Sequence, residues 1–125
     1  MSAELSQSPS ARKSGLLSAA DIDAAAQRIA PVVTPTPLQL SERLSAITGA
    51  QVHLKREDLQ VVRSYKLRGA YNLLVQLSEE ELAAGVVCSS AGNHAQGFAY
   101  ACRTLGVHGR VYVPCLLYTS PSPRD

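Results

Sequence analysis

The stretch that decides the fold is Val86–Val113, VVCSSAGNHAQGFAYACRTLGVHGRVYV. Val86-Val87-Cys88 is a short apolar run of the kind that forms buried parallel strands. Small residues then make a tight turn, and a helix follows with Ala95, Phe98, Ala99, Cys102 and Leu105 on one apolar face. Gly106 stops that helix, and Arg110 to Val113 reads as the next strand. Strand, turn, helix and strand make the unit of an open α/β sheet with parallel strands, and the turn at its carboxyl edge is where such sheets bind ligands.

Upstream segments extend the pattern. Ser18 opens a capping-box-like S-A-A-D, followed by Ile22, Ala25, Ala26, Ile29 and Val33 at helical spacing, with Pro31 ending the helix near Ala30. Thr34-Pro35-Thr36-Pro37 is an extended connector, and a short helix from about Ser41 to Thr48 stops at Gly49. Gln51 to Lys55 reads as a strand. Ser64 can cap a helix whose stripe is Leu67, Ala70, Tyr71, Leu74 and Val75, and Ser78-Glu79-Glu80-Glu81 opens another closed by Gly85.

The 125 residues carry a net charge of +2, with 46% hydrophobic and 18% charged residues, which excludes a largely disordered chain. The 12 Lys and Arg are scattered, which argues against nucleic acid as a partner. No apolar run approaches the roughly 18 residues of a membrane span, and the stub after Lys13 is too short for a signal peptide, so the expected location is cytoplasmic. Cys88, Cys102 and Cys115 fit no zinc spacing and no disulfide framework; Cys88 and Cys102 read as small buried apolar residues.

Two segments can carry chemistry. In Leu54–Ala70, LKREDLQVVRSYKLRGA, Lys66 lies just inside a helix N-terminus among Lys55, Arg56, Arg63 and Arg68. Helix dipole, neighbouring cations and burial all disfavour a protonated ammonium, and an unprotonated lysine is a nucleophile able to form a Schiff base. A solvated basic helix start is the commoner meaning of such a cluster. In Cys88–Gly97, CSSAGNHAQG, the exposed N–H groups of a helix start favour a phosphate or carboxylate, although an ordinary Ser/Asn cap needs no more than these residues. His94, His53 and His108 offer no set at metal-ligand spacing, so no metal is expected.

Taken together, SYKLRGA, with Glu57 ahead of it, resembles the lysine signature of the pyridoxal-phosphate serine/threonine dehydratases, and SSAGNHAQG resembles that family's asparagine loop. The resemblance runs from about Leu16 to Pro114 and includes TPTPL and LKREDLQ. It implies the N-terminal portion of the open parallel-sheet fold type II, the tryptophan-synthase-β-like fold, with pyridoxal 5'-phosphate as cofactor. By the resemblance, Lys66 binds the cofactor aldehyde, Asn93 bonds its ring hydroxyl, and Tyr65 stands at a ring-packing position where the family more often has Phe. Ser90, Ala91, Gly92, Asn93 and His94 would cradle the substrate carboxylate, mainly through backbone N–H groups.

The implied reaction deaminates L-threonine to 2-oxobutanoate and ammonia, Lys66 serving as general base at Cα once the substrate amine has replaced it. L-serine dehydration or a related β-elimination is the alternative within the class. Ala91 stands where serine racemases place a serine base, which disfavours racemisation. Cysteine and threonine synthases commonly carry Thr at the His94 position and Asp at the Leu67 position. A non-catalytic α/β ligand-binding module would be expected to lose Lys66 or Asn93. The whole enzyme is expected to be a homo-oligomer, with no nucleic acid or membrane partner.

The family's glycine-rich phosphate loop and its pyridine-nitrogen residue have no counterpart among the eight isolated glycines. Met1–Leu17 is expected to be a mobile tail. Cys115–Asp125, CLLYTSPSPRD, fits no family element and resembles a translated transposase-type sequencing adapter, so it is expected to be a non-native scar on a fragment that binds cofactor poorly alone.

Overall fold

The computed structural model of the chain describes residues 17–114. The expected tail through Ser14-Gly15-Leu16 and the expected scar Cys115–Asp125 lie outside the described residues; Leu17 is exposed.

Helix α1 (Ala19–Ile29) starts as its sequence dictates. The Ser18 hydroxyl accepts from the Asp21 N–H while the Asp21 carboxylate accepts from the Ser18 N–H, and Ala30 ends the helix just before Pro31. Helix α2 (Glu42–Thr48) is capped by Ser41 and closed by Gly49 at φ 70°. Helix α4 (Glu79–Ala84) carries the Ser78/Glu81 capping box and ends at Gly85. These starts and stops are local chemistry, fixed within a turn of chain.

The strands depart from one continuous sheet. Strand β1 (Leu38–Leu40) pairs antiparallel with β2 (His53–Lys55), Gln39 opposite Leu54. Strand β3 (Val86–Ser89) pairs parallel with β4 (Gly109–Tyr112), Cys88 opposite Val111. The α/β class and the parallel unit hold, but the strand expected at Gln51 starts at His53 and joins a separate ladder whose partner, Leu38–Leu40, lies between the expected connector and the expected helix and belongs to neither. Three residues after Pro37 are too few to show alternation. The β3–β4 pair turns Val86, Cys88 and Val111 toward the core, while Val87 and Tyr112 on the other face are exposed.

The core lies between helix α3 (Lys66–Leu74) and helix α5 (Asn93–Leu105). Leu67, Ala70, Tyr71 and Leu74 meet Phe98, Ala101 and Cys102, and Ile29, Val32 and Val33 close one side. Burying a side chain such as Leu67 contributes roughly 1.5–3 kcal/mol. On α3 the expected stripe is present except for Val75, which is exposed. On α1, Ile22 and Ala26 face solvent although the periodicity placed them inward. The buried face of α5 is Gly97, Phe98, Ala101 and Cys102, so Ala99, expected inward, is exposed. Apolarity alone could not find that face, because a glycine defines it.

A Cβ on Gly97 would lie 2.9 Å from the Lys66 carbonyl carbon and 3.0 Å from the Leu67 nitrogen. The two helices therefore cross backbone to backbone at the first turn of α3. Gly69, also helical, has nothing within 4 Å of its would-be Cβ. The two glycines should respond oppositely to alanine. Gly69→Ala is expected to raise the midpoint of urea unfolding, by about 0.5–1 kcal/mol of helix propensity. Gly97→Ala should lower it, because overpacking costs about 1–3 kcal/mol and outweighs the same propensity gain. Equal shifts of the same sign would contradict the close crossing.

Candidate active site

The segment leading to Lys66 is held by buried polar groups. A 3-10 turn, Glu57–Leu59, follows β2. Gln60 is 1% exposed, and its side chain accepts from the Thr34 N–H at 3.2 Å and donates to the Thr34 carbonyl at 2.8 Å. The Glu57 carboxylate accepts from Thr36 Oγ1 at 2.6 Å and from Arg68 Nε and Nη2, both at 2.8 Å. Lys55 Nζ donates to the Thr36 carbonyl. The chain after α1 is thus tied to the first turn of α3.

Between turn and helix, Arg63 takes φ 57°, the one positive value at a non-glycine residue among those described. Such a conformation persists only where its surroundings over-determine it, and here the Arg63 N–H donates to the Gln60 carbonyl at 2.8 Å. Ser64, expected to cap α3, is buried just before the cap position, which Tyr65 occupies without a side-chain cap bond. The Ser64 hydroxyl still accepts from the Lys66 N–H, at 3.4 Å.

Lys66, half-buried, opens α3 with its Nζ 4.9 Å from the centre of the Tyr65 ring, a cation–π distance. Tyr65, Lys66, Arg68 and His94 line a hollow of about 270 Å³. A larger hollow, about 580 Å³, lies between α1 and the Glu57–Arg68 pair, with Tyr65 in both walls. The crossing at Gly97 thus joins the two segments singled out in the sequence, setting Lys66 against the start of α5.

The loop from Ser90 to Gly92 is exposed except at Ser90. The Ser90 N–H donates to the Tyr112 carbonyl at 3.1 Å, and the Gly92 N–H donates to Ser90 Oγ at 3.3 Å. The first α5 amide to bond within that turn is Gln96, to the Gly92 carbonyl at 3.4 Å, so Asn93, His94 and Ala95 present the leading N–H groups of the helix. Two of the five residues expected at a carboxylate thus spend their N–H groups inside the fold, which leaves Ala91, Asn93 and His94 as backbone donors.

The arrangement offers a lysine amine, an aromatic ring and an anion-ready helix start around one hollow, a donor set that suits an aldehyde cofactor and a carboxylate substrate. Cys102 is buried and Cys88 half-buried, and burial pushes both thiols up. Among the described residues no His/Cys/Asp/Glu group could hold a metal ion, and no helix is long and apolar enough to cross a membrane. The sequence reading missed Gly97 and the Thr36–Glu57–Arg68 network, though both lie in the motifs it quoted.

These features belong to a known class. The profile of the family described as "Pyridoxal-phosphate dependent enzyme" matches residues 29–116, and the chain belongs to that family. It is 86% identical over 114 residues to the L-threonine dehydratase biosynthetic IlvA of Mycobacterium tuberculosis, covering 91% of this chain and 27% of that protein. To the Bacillus subtilis protein of the same name it is 51% identical over 117 residues, 94% of this chain and 26% of the relative. The chain spans about a quarter of the length of these curated relatives. Among solved structures, a processed threonine deaminase isoform 2 from Solanum lycopersicum aligns with TM-score 0.66 at 40% identity, over 83% of this chain and 29% of that one. Maize serine racemase aligns with TM-score 0.70 at 36% identity, over 74% of this chain and 29% of that one.

The Glu57–Arg68 pair has a pH signature. The Arg68 guanidinium holds the Glu57 carboxyl at about 2, against an ordinary 4.5. A carboxyl depressed in the folded state contributes stability that is complete above its unfolded value and lost as pH falls toward the folded one. Urea midpoints should therefore fall further between neutral pH and about pH 3 in the unmodified chain than in Glu57→Gln. Parallel pH dependence of the two would remove Glu57 from the acid response.

Proposed function

We propose that the enzyme of which these residues form part deaminates L-threonine to 2-oxobutanoate and ammonia by β-elimination. The observation that carries this reading is the crossing at Gly97, beside which Lys66 and His94, at the starts of α3 and α5, line one hollow. The 86% identity to a protein named as a threonine dehydratase supports the choice of substrate. Pyridoxal phosphate, when bound, supplies an electron sink for the negative charge that develops at the substrate Cα.

The chain's own residues do the rest. Lys66 Nζ would hold the cofactor, and it is the base that takes the Cα proton. The N–H groups of Ala91, Asn93 and His94, at the positive end of α5, hold the substrate carboxylate and so turn its Cα toward Lys66. Ser90 and Gly92 shape that loop through their internal bonds. The Asn93 side chain would help hold the cofactor at its ring hydroxyl, and the Tyr65 ring packs beside Lys66. Ala91 carries no hydroxyl at the position where serine racemases place a serine base, which leaves Lys66 as the base at Cα and favours elimination over racemisation. Residues 18–114 form the N-terminal part of the catalytic domain, and we place the enzyme in the cytoplasm as a homo-oligomer acting on a small amino acid, without nucleic acid or membrane partners.

A chimera tests this. Residues 17–114 replace the matching residues of the Mycobacterium tuberculosis relative, and turnover of L-threonine and L-serine is compared. The chimera is expected to act on L-threonine with kcat/KM above that on L-serine, and Lys66→Ala should lower kcat by about 10²–10⁴-fold. Borohydride reduction should leave the cofactor covalently on Lys66, found by peptide mass spectrometry. An unmodified Lys66, or preference for L-serine, sinks the lysine role or the substrate respectively.

A further inference from the structure

We propose that Glu57 and Arg68 are a positioning pair that sets the direction of the Lys66 side chain, an inference resting on the lysine role proposed above. Helix α3 begins with no cap bond from Tyr65 and one long bond, 3.4 Å, from the Lys66 N–H to the Ser64 hydroxyl, so the direction of its first turn needs further contacts to fix it. Two neighbours of Lys66 fix it. Leu67 is fully buried beneath α5, where the Gly97 backbone meets it. Arg68 is gripped by Glu57 through two parallel 2.8 Å bonds. At about 3.6 residues per turn, three successive side chains divide the circumference of the helix. With Leu67 and Arg68 both held, Lys66 is left the remaining sector, which faces His94 across the smaller hollow.

Glu57 is anchored in its turn. Thr36 Oγ1 donates to it at 2.6 Å, Gln60 Nε2 approaches at 3.4 Å, and Gln60 is pinned to both backbone atoms of Thr34. The pair therefore transmits the position of the chain after α1 to the turn that carries the amine. A bidentate guanidinium–carboxylate pair adds angular precision that a single bond lacks. It also balances the charge of Arg68, which lines the same hollow as Lys66.

The test uses the full-length chimera. Glu57→Gln keeps the side chain's shape and removes its charge. Because misplacing a reacting group by an ångström costs about 10²-fold, kcat on L-threonine should fall at least about tenfold while KM stays within about threefold. On the cofactor-free protein, amide exchange at Arg68, Gly69 and Ala70 should quicken at least about tenfold more than at Ala101 and Cys102 in α5, whose exchange reports the loss of overall stability. Thr36→Val, which deletes only the 2.6 Å donor, should show the same pattern at smaller size, and Thr36→Ser should restore it. Unchanged kcat and exchange in Glu57→Gln overturn the proposal. So does equal quickening across α3 and α5, which is loss of stability without positioning. A chimera inactive on L-threonine, but with the localised exchange response intact, overturns the substrate reading and leaves the pair standing.

Discussion

The backbone contact between Gly97 and the Lys66–Leu67 peptide is the constraint on which the rest of the structure depends. Two helices whose side chains interdigitate normally stand roughly 8–10 Å apart. Here one side chain is missing at the crossing, and the backbones touch. That closeness lets Phe98, Ala101 and Cys102 close over Leu67 and Ala70. It also brings the first turns of both helices into one neighbourhood. Packing and site geometry therefore share a single cause, and a change of one methyl group reaches both.

The second support is polar. Burying Gln60, Thr36 and most of Glu57 would be costly if any of them lacked a partner. Each is satisfied by another member of one connected network, and no buried side-chain polar atom is left unpaired among the described residues. Such a network tolerates few alternative arrangements. It fixes the unusual backbone at Arg63 and delivers the chain into α3 at a defined angle. The apolar contact holds the helix from inside, and the charged pair holds it from outside.

How much of this was legible in the sequence follows from the range of each interaction. Capping boxes at Ser18 and Ser78 and the glycine stops at Gly49 and Gly106 involve residues within one turn, so they could be read directly. The stripe on α3 was legible because its partners are apolar and its period regular. The α5 face was misjudged at Ala99, since a glycine contributes no apolarity by which to orient the helix. Strand β1 was hidden by its brevity and by the prolines before it. Lys66 and the loop from Ser90 to His94 stood out as motifs, and the structure joins the two segments at Lys66 and His94. The partnership of Glu57 with Arg68 and Thr36 spans 11 and 21 residues of sequence, and no local pattern reports such a pairing.

The bond from the Ser90 N–H to the Tyr112 carbonyl ties the loop before α5 to the end of the neighbouring strand. Its consequence is thermodynamic. A loop already tethered at one end has surrendered much of its freedom during folding, so the carboxylate proposed to bind there would meet donors in place and need not order them. The entropy that a loose loop would lose at every encounter is here lost once, when β4 docks beside β3.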